Sequence, residues 1–225
     1  LMQGHLDGKK GVGAIPINEN NQCKFGALDI DEYPLDHKQL VDKLDKLKVP
    51  CIVCRSKSGG AHIFFFFTKW MEAADFRDKA AEIAAALGHG RCEIFPKQEQ
   101  VLVERGDVGN FINLPYFDAE KTLRFGIWKE KSKYVEATLE QFIDRIYKTK
   151  CDPKKFMEIS VGGKPNLFPG YVPCLRALLG MGIHEGGRKK TAFQLGVFLK
   201  RSEPNDWKAQ LEQLNVKHFS PPLPA

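Results

Sequence analysis

The chain has 225 residues, 43% of them hydrophobic, and a formal net charge of +6. This balance is typical of a globular protein and excludes a disordered or low-complexity chain. Its longest strictly apolar run, Ile63–Phe67, is far shorter than the ~20 residues that cross a bilayer, and its polar N-terminus does not resemble a signal peptide. We therefore expect a cytoplasmic protein without membrane contact, and the excess of cations suits a polyanionic partner.

The first part of the chain alternates short apolar stretches with amphipathic ones. Leucines at 40, 44 and 47 predict a helix that Pro50 ends, and an alanine-rich stretch predicts a second helix that Gly88 ends. Turn-forming residues separate two apolar stretches, and a Gly-Gly loop separates two more, so each is predicted to be a strand. The predicted strands are 11–17, 25–31, 51–56 and 61–68, and the second helix covers 71–87.

Further short strands follow, without strict alternation of strand and helix. That order favours an α+β domain with a mostly antiparallel sheet over a doubly wound one. The predicted strands are 91–97 and 100–105, the strand-like pieces are 111–117 and 124–128, and a helix is predicted over 138–147.

The composition changes after about Lys150, so the predicted domains are a core over 1–150 and a Pro/Gly-rich linker over 151–170. A small helical subdomain is expected at 171–218, with helices at 173–179, 191–201 and 205–214, and with Phe193 and Phe198 in its core. The tail 219–225 resembles another linker, which suggests a further domain beyond it, such as a helicase.

The chain contains six cysteines. Cys51, Cys54, His89 and Cys92 are residue types that bind zinc. However, Cys51 and Cys54 are predicted to lie three apart on one strand, where their side chains point to opposite faces. We therefore expect buried free cysteines and no zinc.

Asp29 and Asp31 are two carboxylates at alternate positions of a predicted strand, so both lie on one face. Two like charges side by side are costly unless a cation lies between them. Mg²⁺ and Mn²⁺ bind carboxylates together with substrate phosphates, so the pair suits phosphoryl chemistry. The alternative is a solvated strand end.

The loop between the strands 51–56 and 61–68 combines glycines, hydroxyls and cations. Backbone N–H groups exposed beside such side chains can bind an anion, although the spacing is not that of a Walker A loop. The alternative is a hairpin turn with a basic flank. Its residues of interest are Arg55, Lys57, Ser58, Gly59 and His62.

Two further groups are candidates for the same chemistry. Glu93, in an apolar strand, needs a partner if it is buried, and a metal held by the two aspartates is one option. The alternative is an ordinary edge-strand glutamate.

Arg188, Lys189 and Lys190 start a predicted helix, where cations oppose the helix dipole unless they bind phosphates. The alternative there is a solvated basic corner.

The order of these segments resembles the three catalytic motifs of the archaeo-eukaryotic primase superfamily. The segments are FGALDID, SKSGGAH and EIFPKQ, and the likeness is greatest to phage and mobile-element primase-polymerases and the primase module of TOTE conflict systems. HLDGKKGVGAIPI, FINLPYF and VPCLRALLGMGIHEGGRKK extend the resemblance over nearly the whole chain. One departure is Lys189-Lys190, where asparagine is expected directly after the arginine.

The resemblance implies an RRM-like catalytic core and a role for each candidate residue. Three carboxylates would hold two Mg²⁺ or Mn²⁺ ions, the loop would bind the triphosphate, and the basic helix would contact the template or initiating nucleotide. The metal ligands would be Asp29, Asp31 and Glu93. The nucleotide ligands would be His62, Ser58, Gly59, Arg55, Lys57, Lys97 and Asn113, with Tyr116 and Arg124 beside them; the template ligands would be Arg188, Lys189 and Lys190.

The implied reaction is template-directed synthesis of primers or DNA from NTPs or dNTPs by a monomer on a single-stranded DNA template. Two alternatives stay open. A metal-dependent nuclease needs no triphosphate-binding loop, and a catalytically inactive nucleic-acid-binding module does not need three converging acids. The loop and the three acids favour polymerisation.

Overall fold

The computed structural model describes residues 1–161, 174–175, 178–179, 182–202 and 205–224. The chain divides into two compact units, Leu1–Gly163 and Lys164–Ala225. The predicted helix 173–179 and the predicted linker 151–170 therefore fall partly outside the described residues. Within the described part, no helix has the length and apolar character needed to cross a membrane.

The first unit is an α+β fold with an antiparallel sheet, which confirms the predicted class. The elements of its first half are α1 (Met2–Leu6), β1 (Gly13–Ala14), β2 (Gln22–Ile30), α2 (His37–Lys46), β3 (Ile52–Arg55), β4 (Ala61–Glu72) and α3 (Ala73–Leu87). Those of its second half are β5 (Glu93–Phe95), a 3-10 turn (Val103–Arg105), β6 (Ile112–Asn113), α4 (Ala119–Thr122), β7 (Gly126–Glu130), β8 (Lys133–Glu136), α5 (Leu139–Thr149) and α6 (Pro153–Met157).

Six strands form the main sheet in the order β5-β2-β4-β3-β7-β8, and every neighbouring pair is antiparallel. Successive side chains of a strand point to opposite faces, and each face of this sheet covers its own hydrophobic cluster. Face A carries Leu28, Val53, Ile63 and Phe65, together with residues of α2, α3 and α6. Face B carries Ala27, Ile52, Phe64, Trp128 and Phe142.

The helices begin and end where the sequence provides caps. The Asp36 carboxylate accepts hydrogen bonds from the backbone N–H groups of Lys38 and Gln39 at the start of α2. Gly88, in the left-handed conformation, ends α3. Thr138 and Gln141 form a reciprocal capping box at the start of α5, which packs Phe142 on face B.

Two predictions in this unit are corrected by the structure. Residues 100–105 do not form a strand: three of them form a 3-10 turn, because Gly106 follows with a φ of 76° and Leu102 and Val103 are half-exposed with no strand to pair with. Residues 151–161, which we assigned to a linker, include α6, and Phe156 is fully buried in the face A cluster.

The second unit is described separately. Its elements are β9 (Ile183–His184), α7 (Arg188–Ser202), α8 (Trp207–His218) and β10 (Phe219–Ser220), which pairs with β9 in parallel. Leu175, Leu179, Ile183, Leu195 and Phe219 form its core.

The structure confirms one prediction for this unit and corrects two. Phe198 packs against the core as predicted, whereas Phe193 is 74% exposed, so its prediction as a core residue is wrong. The reason is that Phe193 lies on the face of α7 away from Leu195 and Leu199. The tail 219–225 is also not a free linker: Phe219 is buried in the core of this unit, and the Asn215 side chain holds the backbone of Leu223 in two hydrogen bonds.

Candidate active site

One transverse row of the main sheet contains two of the predicted acids and the histidine. Glu93 of β5 pairs with Asp29 of β2, Asp29 pairs with His62 of β4, and His62 pairs with Cys54 of β3. Cys54 pairs in turn with Gly126 of β7. Residues directly opposite one another have Cβ atoms about 4.5–5.5 Å apart, so the antiparallel register brings three motifs distant in sequence onto one line of face B.

Asp29 and His62 are the centre of this row. His62 Nε2 lies 3.2 Å from Asp29 Oδ1, and both side chains are largely buried. The contact has the distance of an ion pair, yet Asp29 Oδ1 is a buried atom that accepts no hydrogen bond. A buried carboxylate oxygen without a hydrogen bond is costly, and a bound cation would relieve that cost.

Asp31 follows the end of β2 and is exposed. Tyr33 donates a hydrogen bond of 2.7 Å from its hydroxyl to Asp31 Oδ1. This bond is the main reason that the pKa of Tyr33 is raised, while a hydrogen bond with Ser58 acts in the opposite direction. Tyr33 therefore joins the second aspartate to the loop between β3 and β4, a contact that the sequence analysis missed.

Glu93 does not converge on the aspartates through its side chain. Its carboxylate pairs with Lys97 at 2.8 Å, and the Lys97 ammonium also lies 5.0 Å from the centre of the Phe95 ring. Across the residues that the structure describes, no group of three His, Cys, Asp or Glu side chains is arranged to hold a metal ion.

The donor set nevertheless fits Mg²⁺ or Mn²⁺. Asp29, Asp31 and Glu93 offer the hard oxygen ligands that these ions prefer, the register places Asp29 beside Glu93, and the buried Asp29 Oδ1 lacks a hydrogen bond. Glu93 would have to leave Lys97 to join a metal.

The loop Ser56–Gly60 is tied tightly to the end of β2. A Cβ atom added at Gly60 would collide with the carbonyl oxygen of Ile30 and would lie 3.2 Å from Ser56 Oγ, so no side chain fits there. The Gly60 carbonyl accepts hydrogen bonds from the backbone N–H of Ser56, at 2.9 Å, and from His37 Nε2, at 2.8 Å. His37 was not singled out in the sequence, because nothing local distinguishes it from an ordinary helix-start residue.

The cations of the loop lie beside it. Gly59 has a φ of 95°, a conformation that favours glycine, and a Cβ atom added there would lie 3.3 Å from the Arg55 guanidinium. Lys57 and Ser58 are exposed at the tip. The loop thus presents hydroxyls, cations and backbone beside Asp31 and His62, as an anion-binding loop requires.

The residues of the FINLPYF segment lie at different depths. Asn113 is exposed on β6 and pairs with Gly13 of β1. The Tyr116 hydroxyl is buried, donates to the Ala137 carbonyl at 2.9 Å and accepts from the Gly126 backbone N–H at 3.1 Å. Burial is the main cause that raises the pKa of Tyr116. Its ring therefore supports the β7 end of the row.

Arg124 is also buried, and burial lowers the pKa of its guanidinium. One terminal nitrogen donates to the Leu114 carbonyl at 3.2 Å, and the guanidinium lies 5.4 Å from the Phe117 ring centre. Its Nε and the Ser56 Oγ are both buried without a hydrogen-bond partner. The Arg55 backbone N–H donates a hydrogen bond to the Phe125 carbonyl. Ser56 comes directly after Arg55 and Arg124 directly before Phe125, so the two lie at the same level just beyond the ends of β3 and β7.

The predicted template-binding residues belong to the second unit. The Arg188 guanidinium is engaged within that unit: it donates to the Pro221 carbonyl at 2.6 Å and lies 3.3 Å from the Glu185 carboxylate. Lys189 and Lys190 are exposed at the start of α7.

The two cysteines of the CIVC segment behave as the strand argument predicts. Cys51 packs against the face A cluster and Cys54 belongs to the face B cluster. Burial raises the pKa of both thiols and raises that of Cys92 to about 11.

The family model of the archaeo-eukaryotic primase domain of TOTE conflict systems matches residues 1–151. The chain therefore belongs to the archaeo-eukaryotic primases, a family of primase-like nucleotidyltransferases, and the resemblance seen in the sequence is confirmed. No curated protein matches the chain.

Proposed function

We propose that the protein is a DNA primase-polymerase that joins NTPs or dNTPs on a single-stranded DNA template and releases pyrophosphate. The observation that carries this proposal is the row Glu93–Asp29–His62, which borders the loop Ser56–Gly60. Acids for divalent metals and donors for phosphate are the two components that phosphoryl transfer requires.

The acids would bind the metal ions, and the neighbouring lysine would bind phosphate. Asp29, Asp31 and Glu93 would hold Mg²⁺ or Mn²⁺, which when bound lowers the pKa of a 3′-hydroxyl and stabilises the leaving pyrophosphate. Lys97, released when Glu93 turns to the metal, would then neutralise phosphate charge.

The phosphate-binding side of the site would use the loop and its neighbours. His62 would donate from Nε2 to a phosphate oxygen, and Arg55, Lys57, Ser58 and Gly59 would complete the cradle with cations, a hydroxyl and backbone N–H. Ser56 Oγ and Arg124 Nε, buried without partners at the same level, have unused capacity to donate. Asn113, exposed on β6, would contact the nucleotide from the side of β1.

This loop also separates the proposal from the nuclease alternative. A nuclease activates water and has no triphosphate to bind, whereas here Gly60, His37 and Tyr33 all hold the loop beside the acids. An inactive nucleic-acid-binding module would have no use for a buried carboxylate oxygen that lacks a hydrogen bond.

The test is incorporation of labelled NTPs and dNTPs on single-stranded DNA, with and without a primer, in the presence of Mg²⁺ or Mn²⁺. We expect wild-type activity that a chelator removes and that Asp29→Asn or Asp31→Asn abolishes. Asp144→Asn, which changes an exposed aspartate of α5, is the matched control. Equal incorporation by Asp29→Asn and wild type would refute the metal site.

The second unit is proposed to contact the template or the initiating nucleotide through Lys189 and Lys190. Their exposed ammonium groups start a helix whose N-terminus also favours phosphate. The double charge reversal Lys189→Glu/Lys190→Glu should reduce initiation without a primer more than extension of a primer. Arg188 is left unchanged in this test because it holds Pro221 and Glu185.

A further inference from the structure

Two exposed aromatic residues lie beside the half of β4 that is remote from His62. Each has a lysine ammonium group over its ring. Trp70 is 50% exposed, and the Lys24 ammonium lies 5.6 Å from its ring centre. Tyr147, near the end of α5, is 67% exposed, and the Lys150 ammonium lies 4.7 Å from its ring centre. We call these four residues the Trp70–Tyr147 surface.

Backbone contacts place the two pairs on either side of β4. Lys24 donates to the Thr68 carbonyl at 3.1 Å. On the other side, the Thr68 N–H donates to the Cys151 carbonyl at 2.9 Å, and the Cys151 N–H donates to the Phe66 carbonyl at 3.0 Å. Since Lys150 precedes Cys151 directly, both lysine–aromatic pairs flank the same short segment of β4.

Lysines outnumber acids around this surface. Exposed lysines continue along the chain on both sides of Cys151. Of the acids nearby in the chain, Asp152 pairs with Lys69 at 2.9 Å and caps α6, while Asp144 is exposed on α5, three residues before Tyr147. Glu72, at the end of β4, accepts a hydrogen bond from Gln22. The additional exposed lysines are Lys69, Lys148, Lys154 and Lys155.

The surface lies on the same strand as the active-site row. His62, Phe64 and Phe66 occupy alternate positions on face B, with ring centres 5.8 Å and 6.2 Å apart in succession. Trp70 follows them in β4, after a shift in the register between β2 and β4. At about 3.3 Å per residue, Trp70 lies up to about 26 Å from His62 along β4. It is therefore outside the site that binds the reacting nucleotide but on the same strand.

We propose that the Trp70–Tyr147 surface binds single-stranded DNA on its way to or from the active site. Bases would stack on the two exposed rings, and the lysines would pair with the backbone phosphates. Base faces are accessible only in an unpaired strand, and stacking on aromatic side chains tolerates any sequence. This inference rests on the proposed function, because it supplies a path for the template of that reaction.

The experiment measures binding of a fluorescent single-stranded oligonucleotide of mixed sequence by anisotropy, without nucleotide and at several salt concentrations. Trp70→Ala/Tyr147→Ala should weaken binding about tenfold or more, and Trp70→Phe/Tyr147→Phe should restore most of it because the rings remain. Lys24→Glu/Lys150→Glu should weaken binding and flatten its salt dependence. The control variant Lys131→Glu/Lys133→Glu makes the same charge change in the turn between β7 and β8 and at the start of β8. It should leave unchanged the part of the binding affinity that depends on stacking on Trp70 and Tyr147.

Several results would contradict the binding of single-stranded DNA at this surface and leave the polymerase proposal unaffected. These are unchanged binding by the double alanine variant, an equal loss for duplex DNA, or an equal loss in the Lys131/Lys133 control. Nucleotide incorporation by wild type is measured in parallel. Binding that depends on Trp70 and Tyr147 in a wild type that incorporates no nucleotide would support the surface and refute the polymerase proposal.

Discussion

Asp29 and His62 face each other across β2 and β4, with 3.2 Å between Asp29 Oδ1 and His62 Nε2. The pair joins the metal-binding and phosphate-binding halves of the proposed site at one point of the sheet. If Asp29 held a divalent cation as proposed, the His62 imidazole would turn away from that carboxylate and would donate from Nε2 to a phosphate.

His62→Ala tests this division of labour. We expect the apparent KM for nucleotide to rise by about tenfold or more, because a donor to phosphate is lost in a largely buried site. Binding of single-stranded DNA without nucleotide should stay within about twofold of wild type. His89→Ala, which removes a histidine that pairs with Glu32 instead, is the control, and loss of template binding with an unchanged nucleotide KM would contradict the assigned role.

Tyr33→Phe tests the contact between Asp31 and the loop. Partners that orient a metal ligand contribute to metal affinity, and the Tyr33 hydroxyl holds one oxygen of Asp31 at 2.7 Å while the other oxygen remains for a metal. Titration with Mn²⁺ should show weaker binding by several-fold. Tyr147→Phe, an equivalent change at an exposed tyrosine on α5, should leave Mn²⁺ affinity unchanged, and equal affinities in all three proteins would exclude a role for Tyr33.

The sequence predicted the strands of this site better than their surroundings. Short apolar stretches bounded by turn-forming residues indicated β2 and β4, and a strand was expected around Glu93. What joins Glu93, Asp29 and His62 into one row is the register between strands distant in the chain, which depends on pairing across the sheet and not on local pattern. The resemblance to a family supplied that grouping before the structure showed it.

Other features could not be predicted for physical reasons. Val101–Val103 has the β-branched composition of a strand, but no neighbouring strand pairs with it and Gly106 turns the chain. Phe193 was misassigned because it lies two residues before Leu195 and five before Phe198, spacings that do not share a helix face, and it is exposed on α7. His37 contacts Gly60, and Tyr33 contacts Ser58 besides its neighbour Asp31; both contacts with the loop join residues more than twenty positions apart, for which a single sequence carries no signal.

Tyr116→Phe should destabilise the first unit. The buried hydroxyl donates to Ala137 and accepts from the Gly126 N–H, so its removal leaves a buried donor and acceptor unpaired, at a cost of about 1–3 kcal/mol. Urea denaturation should show a lower midpoint at an unchanged slope. If stability were unchanged while nucleotide affinity fell, Tyr116 would belong to the nucleotide groove instead.

The cysteines should react at very different rates with a thiol reagent. The thiolate is the reactive form, and burial raises the pKa of Cys23 to about 12 and those of Cys92 and Cys151 to about 11. Cys174 is exposed. Under native conditions we expect one fast equivalent, assigned to Cys174 by its loss in Cys174→Ser, with the remaining thiols reacting on unfolding. One equivalent of copurifying zinc that protects Cys51 and Cys54 would contradict free thiols.

Gly60→Ala should damage both stability and activity. The added methyl group would meet the Ile30 carbonyl and Ser56 Oγ at the junction of β2 with the phosphate-binding loop, and overpacking of this kind costs about 1–3 kcal/mol. Any displacement of the loop would move Ser58 and Gly59 relative to Asp31, so the KM for nucleotide should rise as well. Gly4→Ala is the matched control, because that glycine is in α1 with open space around its Cα and alanine favours a helix. The test compares the urea midpoints and the incorporation rates of both variants. A Gly60→Ala protein as stable and active as Gly4→Ala would show that neither stability nor activity needs the contact between this loop and β2.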